Sequence, residues 1–177
     1  MNTREWFGER FSDLHPLLQR LHTDGGRLQG QVDVLTGRGV GNFLGERLAA
    51  RLGIPDNGRH DFSVEISHHG DGLHWDRCFG GASWMRSLFI PVGTIENGYW
   101  EERSGPVKLR LTVDIVEGGW YWRLLGARWL GMPVPTGLLP GTTAYKTIEN
   151  DRYRFHVGFS IPAAGEILSY SGLLAAD

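Results

Sequence analysis

The sequence predicts a mainly β protein, an antiparallel up-and-down barrel of about ten strands, with short helices at its N-terminus and between its first two strands. Three observations carry that expectation. From residue 60 onward the apolar residues recur with period two, as in half-buried strands. Turn-forming pairs punctuate the pattern: Asp71-Gly72, Gly80-Gly81, Asn97-Gly98, Ser104-Gly105, Gly118-Gly119 and Asn150-Asp151. The stretch 107–130, VKLRLTVDIVEGGWYWRLLGARWL, reads as two long strands around Gly118-Gly119. That turn sets Ile115 opposite Trp122, Val113 opposite Leu124 and Leu109 opposite Arg128, with Asp114 and Arg123 paired on the other face.

The first element, 11–22, has helical spacing at Leu14, Leu17, Leu18 and Leu21, with Ser12 as its cap and Pro16 in its first turn. Asp24-Gly25-Gly26 stops it, and a first strand follows over 28–35. Residues 39–52 place Val40, Phe43, Leu44, Leu48 and Leu52 on one helical side, ended by Gly53 and Pro55. Strands are then expected at 60–69, 73–79, 82–90, 95–103, 106–117, 119–130, 142–149, 153–161 and 166–173, with 131–141 as the one long connection and a turn over 162–165.

A hairpin series this long closes, because a flat sheet would leave exposed edges and an uncovered apolar face. A barrel of that size encloses more space than its side chains fill, so a ligand cavity is expected, with the 39–52 helix over its mouth. The element order resembles the calycin-like barrels, lipocalins and intracellular fatty-acid-binding proteins. A helix-grip fold would need a long C-terminal helix, which SYSGLLAAD does not supply.

The chain has 177 residues, 41% hydrophobic, enough for one domain spanning 1–177 with a sizeable core. Its net charge of -2 and the lack of any Lys/Arg cluster argue against a nucleic-acid partner. Lys108 and Lys146 are the only lysines. The single cysteine, Cys78, excludes an internal disulfide, and the start MNTREWFGER lacks an apolar signal core, so a cytoplasmic location is expected. No apolar run reaches membrane-spanning length, so no membrane insertion is expected; a homodimer is compatible with the sequence.

Side-chain parity, carried from turn to turn, gives the inward polar set. Ser104-Gly105 pairs Glu102 with Val107 and Trp100 with Leu109, leaving Glu101 outside against Lys108. Gly80-Gly81 pairs Arg77 with Trp84 and Trp75 with Arg86, and Asp71-Gly72 sets His68 opposite Trp75. After Asn150-Asp151, Tyr153 and Phe155 face inward, with Lys146 opposite Phe155 and Val157 opposite Tyr170. The expected interior thus holds His68, Arg77, Arg86, Glu102, Arg128, Lys146, Tyr153 and Tyr170 among aromatic residues. Parity between strands four and five fails unless a bulge falls at Pro91-Val92-Gly93. Many such charges serve structure alone, by reaching the rim or pairing inside.

HHGDGLHWD sets His69 and His74 on one face with Asp76 and Cys78, but that face is polar and expected outward, so neither a metal site nor a nucleophilic thiol is expected. The glycine clusters at 37–41 and 79–81 lack the strand–GxGxxG–helix order of a dinucleotide site, and no GxSxG elbow occurs. No cofactor is expected.

Several stretches, LHPLLQRLH at 14–22, WDRCFGG at 75–81, EERSGP at 101–106, RWLGMPVPTGLLP at 128–140 and RFHVGFSIPAAGEILSYSGLL at 154–174, resemble a bacterial domain family of unknown function. The resemblance covers nearly the whole chain. Members of that family often follow a saccharopine-dehydrogenase-like Rossmann domain; that partner is absent from this sequence, so its reductase chemistry does not transfer.

Two functions fit the expected interior. One is a cofactor-independent cyclase or isomerase acting on a hydrophobic, polyketide-like metabolite. There Arg77, Arg86 or Arg128 would hold an oxyanion while Glu102, His68 or Tyr170 moves protons. The other is a carrier of a fatty acid or similar amphiphile, whose carboxylate pairs with the same arginines. Trp75, Trp84, Trp100, Trp122, Lys146 and Tyr153 complete the expected ligand-contacting set. Glu102 free of arginine contact favours the enzyme; Glu102 locked in a salt bridge favours the carrier.

Overall fold

The computed structural model describes residues 1–70, 72–105, 107–135, 139–162 and 164–177. Asp71 of the expected Asp71-Gly72 turn, Pro106 at the start of the expected 106–117 strand, residues 136–138 of the long connection and residue 163 of the 162–165 turn lie outside these. The chain runs α1 (Thr3–Phe7), a 3-10 turn (Gly8–Asp13), α2 (Pro16–Thr23), β1 (Gly26–Thr36), α3 (Val40–Leu52), β2 (Gly58–His69), β3 (Gly72–Phe79), β4 (Ser83–Val92), β5 (Tyr99–Ser104), β6 (Val107–Val116), β7 (Gly119–Trp129), β8 (Met132–Val134), β9 (Gly141–Glu149), β10 (Arg152–Ile161) and β11 (Gly165–Ala176). Ten strands close an antiparallel barrel: β1 to β7 pair in sequence order, β7 continues onto β9, and β9, β10 and β11 lead back to β1. The short β8 folds back on β7.

The β6–β7 turn falls one residue earlier than the glycine pair suggested. Glu117 and Gly118, at φ 50° and 77°, are its central residues, the two positive values that a tight hairpin turn of this hand requires. The backbone N–H of His15 donates to the Gly118 carbonyl at 2.9 Å, and a Cβ on Gly118 would lie 3.3 Å from that nitrogen. Sliding the turn by one residue moves cross-strand partners by two and keeps the faces, so Val113 meets Trp122 and Ile115 meets Trp120. Asp114 and Arg123 are no longer opposite, but they still pair diagonally at 3.0 Å. The β2–β3 and β5–β6 hairpins behave likewise: Ile66 rather than His68 faces Trp75, and Glu102 faces Leu109 rather than Val107. Lys108 then meets Arg103 instead of Glu101.

Two departures do change faces. Beyond Leu111, which faces Leu124, Arg110 faces Gly126, so Leu125 is an extra residue on β7. Past this bulge Ala127 turns inward, and Arg128 turns outward opposite Lys108; the expected Leu109–Arg128 pairing does not form. On β3–β4 the loop has three residues, because Phe79 pairs with Ser83. Met85, Ser87 and Phe89 therefore face inward, and Trp84 and Arg86 outward. This loop removes the parity conflict that called for a bulge at 91–93: β4 and β5 pair without interruption, Phe89 against Glu102 and Pro91 against Trp100.

The N-terminal segment plugs one end of the barrel. It is not the single 11–22 helix of the sequence reading: His15, not Ser12, caps α2, accepting from Leu17 N at 3.2 Å. Trp6, Phe7, Phe11, Leu14, Leu18 and Leu21 are all buried, with Trp6 edge-on to Trp100 and Phe7 edge-on to Trp120. Trp6 Nε1 donates to the Val92 carbonyl, and Ile95 N to the Trp6 carbonyl, which fastens α1 to the β4–β5 loop.

Helix α3 packs through Gly41, Gly45 and Ala49 rather than through the expected Val40 and Phe43, which are exposed. Only small residues allow the approach: a Cβ on Gly45 would stand 1.8 Å from the Ile167 carbonyl oxygen on β11. Leu48 and Leu52 are thereby turned toward the barrel interior at its other end. No helix among the described residues is long and apolar enough to cross a membrane.

Candidate functional site

Alternation along the strands lines the barrel with aromatic and aliphatic side chains, and the packing leaves two adjoining chambers. The outer one, about 280 Å³, lies beneath Leu48 and Leu52 of α3 and is walled by Leu109, Leu111, Leu124 and Phe159. The inner one, about 50 Å³, lies against the N-terminal plug and is lined by His22, Trp75, Trp100, Trp120, Lys146 and Tyr153. Six residues border both: Arg77, Phe89, Trp122, Ala144, Val157 and Tyr170. A larger hollow of about 570 Å³ lies on the outer surface beside exposed Trp84 and Arg86. Because a small ligand is buried best in a concave, mostly apolar enclosure, the interior is the candidate site.

At the floor of the inner chamber stands Lys146 of β9, opposite Phe155 as the register implied and also opposite Trp120. It is only 6% exposed. Its Nζ lies 4.1 Å from the Trp120 ring centre, 4.4 Å from that of Trp75 and 5.4 Å from that of Trp122. It meets His22 Nε2 at 2.5 Å. The His22 ring stacks on Trp120 with centres 4.4 Å apart, and its Nδ1 lies 2.7 Å from the Leu18 carbonyl. Since a carbonyl only accepts, Nδ1 carries the proton and Nε2 presents a lone pair to the amine. No carboxylate lies within ion-pair distance of Lys146 among the described residues.

Burial, then the charge of Arg77, holds the Lys146 amine well below the ordinary lysine range; Glu102 opposes them. The indole cage also favours the cation, but each such contact contributes about 0.5–2 kcal/mol, less than full burial of an ammonium costs. Burial, then the charge of Lys146, lowers His22 well below its usual value, against the Leu18 hydrogen bond. Burial raises the phenols of Tyr153 and Tyr170, the latter to about 12, so both stay protonated donors.

Between the chambers Arg77 Nη1 donates to Ser87 Oγ at 3.0 Å, and Ser87 donates to Glu102 Oε1 at 2.9 Å. Ser104 Oγ lies 2.7 Å from Ser87 and 3.2 Å from the same carboxylate oxygen. Arg77 also lies 5.7 Å over the Trp75 ring. The serine relay links Arg77 to Glu102 without a direct ion pair among the described residues, and Arg77 borders both chambers. The buried Nε1 groups of Trp100 and Trp120 have no hydrogen-bond partner among the described residues. The interior is therefore rich in donors and poor in acceptors.

Of the residues singled out from sequence, the structure brings Trp75, Arg77, Trp100, Glu102, Trp122, Lys146, Tyr153 and Tyr170 around this interior. Four are not brought in. Trp84 and Arg86 face solvent, stacked on each other at 5.5 Å with Arg86 paired to Asp76, because the three-residue loop reverses β4. Arg128 is exposed at the rim of the outer chamber because of the β7 bulge. His68 keeps inward parity but stands exposed at the end of β2, beyond the plug. Cys78, expected on an open outer face, is buried. His69 and His74 meet edge-on at 4.9 Å on the outer face, and no group of three His, Cys, Asp or Glu able to hold a metal occurs among the described residues.

Sequence reasoning missed His22, Ser87, Ser104 and Trp120. His22 had a legible signal: it lies four residues after Leu18 and so continues the buried stripe of α2. No curated protein matches the chain. The match to a family model spans residues 14–174, from Leu14 within the N-terminal plug to Leu174 near the end of β11, and includes every residue that lines the two chambers described above. The chain therefore belongs to the family described as a domain of unknown function, DUF4166.

Proposed function

We propose that the barrel binds one hydrophobic small molecule whose single oxygen-bearing head, an anionic or enolisable group, lies against Arg77 and Tyr170 while its apolar body fills the outer chamber. The observation that carries this reading is an arginine without a carboxylate partner among the described residues, at the junction of two mostly apolar chambers. A half-buried guanidinium beside an apolar cavity is stabilised by an anionic or acceptor group, and the surrounding donors have the same need. Each methylene moved from water contributes about 0.8 kcal/mol before the cost of immobilisation, so the apolar body sets affinity and Arg77 sets orientation.

Turnover at the same site is the second reading, favoured by a specific observation: Glu102 is held by two serines and touches no arginine among the described residues. In a cofactor-independent isomerisation or cyclisation, Glu102 would take a proton from the carbon next to a ligand carbonyl. Arg77 and the protonated Tyr170 would stabilise the enolate oxygen. Without that step the protein is a carrier of a fatty acid or similar amphiphile. Native mass spectrometry of freshly purified protein tests the binding reading. One small apolar acid or carbonyl compound per chain is expected; bare protein that also takes up no added decanoate contradicts it. Exchange of the ligand's α-protons in deuterated water, abolished by Glu102→Gln with binding retained, separates enzyme from carrier.

A further inference from the structure

We propose that Lys146 is an imine-forming amine, which captures an aldehyde or ketone group of an apolar ligand inside the barrel. This rests on the reading of the interior as a ligand site and names the chemistry at its inner end. Only two lysines occur in the chain, and Lys108 is exposed. Every other cationic side chain is arginine, which cannot serve as a nucleophile because its guanidinium stays protonated. The lysine placed inside is thus shielded from water, and the other is not. A purely structural cation would be expected to meet a carboxylate, and Lys146 instead meets three indole faces and the lone pair of His22.

The groups facing it come from several elements: His22 of α2, Trp75 and Arg77 of β3, Trp120 and Trp122 of β7, and Tyr153 of β10, with Glu102 of β5 acting from farther off. Burial and the Arg77 charge favour the neutral amine, the form that attacks carbonyls. Access is provided by Ala144, which borders both chambers on the same face of β9, about 7 Å along the strand from Lys146. A chain in the outer chamber can therefore present its terminal carbonyl to Nζ.

The reaction balances without a cofactor. Nitrogen attacks the carbonyl carbon, the N–C bond forms as the C=O π pair moves to oxygen, and one nitrogen proton passes to that oxygen by way of His22 Nε2. The hydroxyl then leaves with the second nitrogen proton as water while the C=N bond forms. One carbonyl compound and one amine give one imine and one water, with no change of oxidation state. Arg77, which borders both chambers, suits the developing oxyanion.

The test uses the whole chain, decanal as probe and sodium cyanoborohydride to reduce any imine to a stable secondary amine, followed by peptide mass mapping. The protein offers three amines: Lys146, Lys108 and the N-terminus. Decyl label on Lys146, at least about tenfold faster than on Lys108, is the expected result, the effect of about 1.4 kcal/mol in the barrier. Label confined to Lys108 and the N-terminus, or equal at all three, overturns the proposal. Decanol, which cannot form an imine, is titrated in parallel by tryptophan quenching. Quenching without a Lys146 adduct overturns the imine and leaves the ligand site standing; neither quenching nor adduct overturns both. Lys146→Arg should lose the inner adduct while Lys108 and the N-terminus are still labelled.

Discussion

His22 and Lys146, 124 residues apart in sequence, join the N-terminal plug to the barrel wall through a 2.5 Å contact between Nε2 and Nζ. The contact is buried, lies between aromatic rings and has no carboxylate beside it among the described residues. Its members are both held toward their neutral forms, and stability should register that as a dependence on pH.

A lysine whose folded-state pKa lies below its unfolded value of 10.5 binds fewer protons when folded, so stability rises with pH between those two values. Each pH unit inside that window contributes up to about 1.4 kcal/mol. Urea unfolding of the wild type should therefore show increasing stability from neutral pH toward pH 10.5, and Lys146→Met should flatten that rise. His22 acts in the same direction at lower pH, its contribution growing until pH reaches the ordinary 6.5.

Tyr153 and Tyr170 impose the opposite slope. Their raised pKa values keep protons on the folded state that the unfolded state has released, so stability falls as pH rises from 10 toward about 12, the folded value for Tyr170. Ultraviolet titration of the folded protein should find the Tyr153 and Tyr170 phenols still protonated above pH 10, and unfolding should release both protons.

Gly45→Ala tests the α3 contact. The added carbon meets the Ile167 carbonyl oxygen at 1.8 Å, a backbone atom of β11 that cannot swing aside. The helix must lift, and a loss of about 2–3 kcal/mol in urea unfolding is expected. Gly126→Ala, where a Cβ meets nothing within 4 Å, should change stability by less than about 0.5 kcal/mol.

The polar relay and the rim arginine should behave oppositely. Ser87→Ala leaves Arg77 and Glu102 without their link and should cost about 1–3 kcal/mol. Arg128→Ala removes an exposed side chain opposite Lys108 and should stay within about 0.5 kcal/mol. Thermal melts of the two variants check both.

The barrel was legible because period-two alternation and turn pairs recur across more than half the chain, and their information is local. Faces survived wherever a turn slid by one residue, as around Gly118 and Ser104, since partners then move by two. They failed where an odd number of residues entered: the third loop residue after Gly80-Gly81 turned Trp84 and Arg86 outward, and the extra Leu125 turned Arg128 outward. The sequence did register the first failure as a parity conflict at strands four and five, but placed it at the wrong end of β4. The His22–Lys146 contact was beyond local patterns, because it depends on how the N-terminal segment docks into a barrel end.

Binding inside the barrel is tested most directly by isothermal titration of decanoate into the wild type, Ala144→Leu and Arg77→Met, with folding of each variant checked by circular dichroism. Ala144 borders both chambers, and Arg77 stands at their junction. One molecule per wild-type chain is expected, weakened at least about tenfold by filling the junction or by removing the guanidinium, the effect of losing about 1.4 kcal/mol. Equal affinity in all three proteins would place the ligand elsewhere and contradict the account.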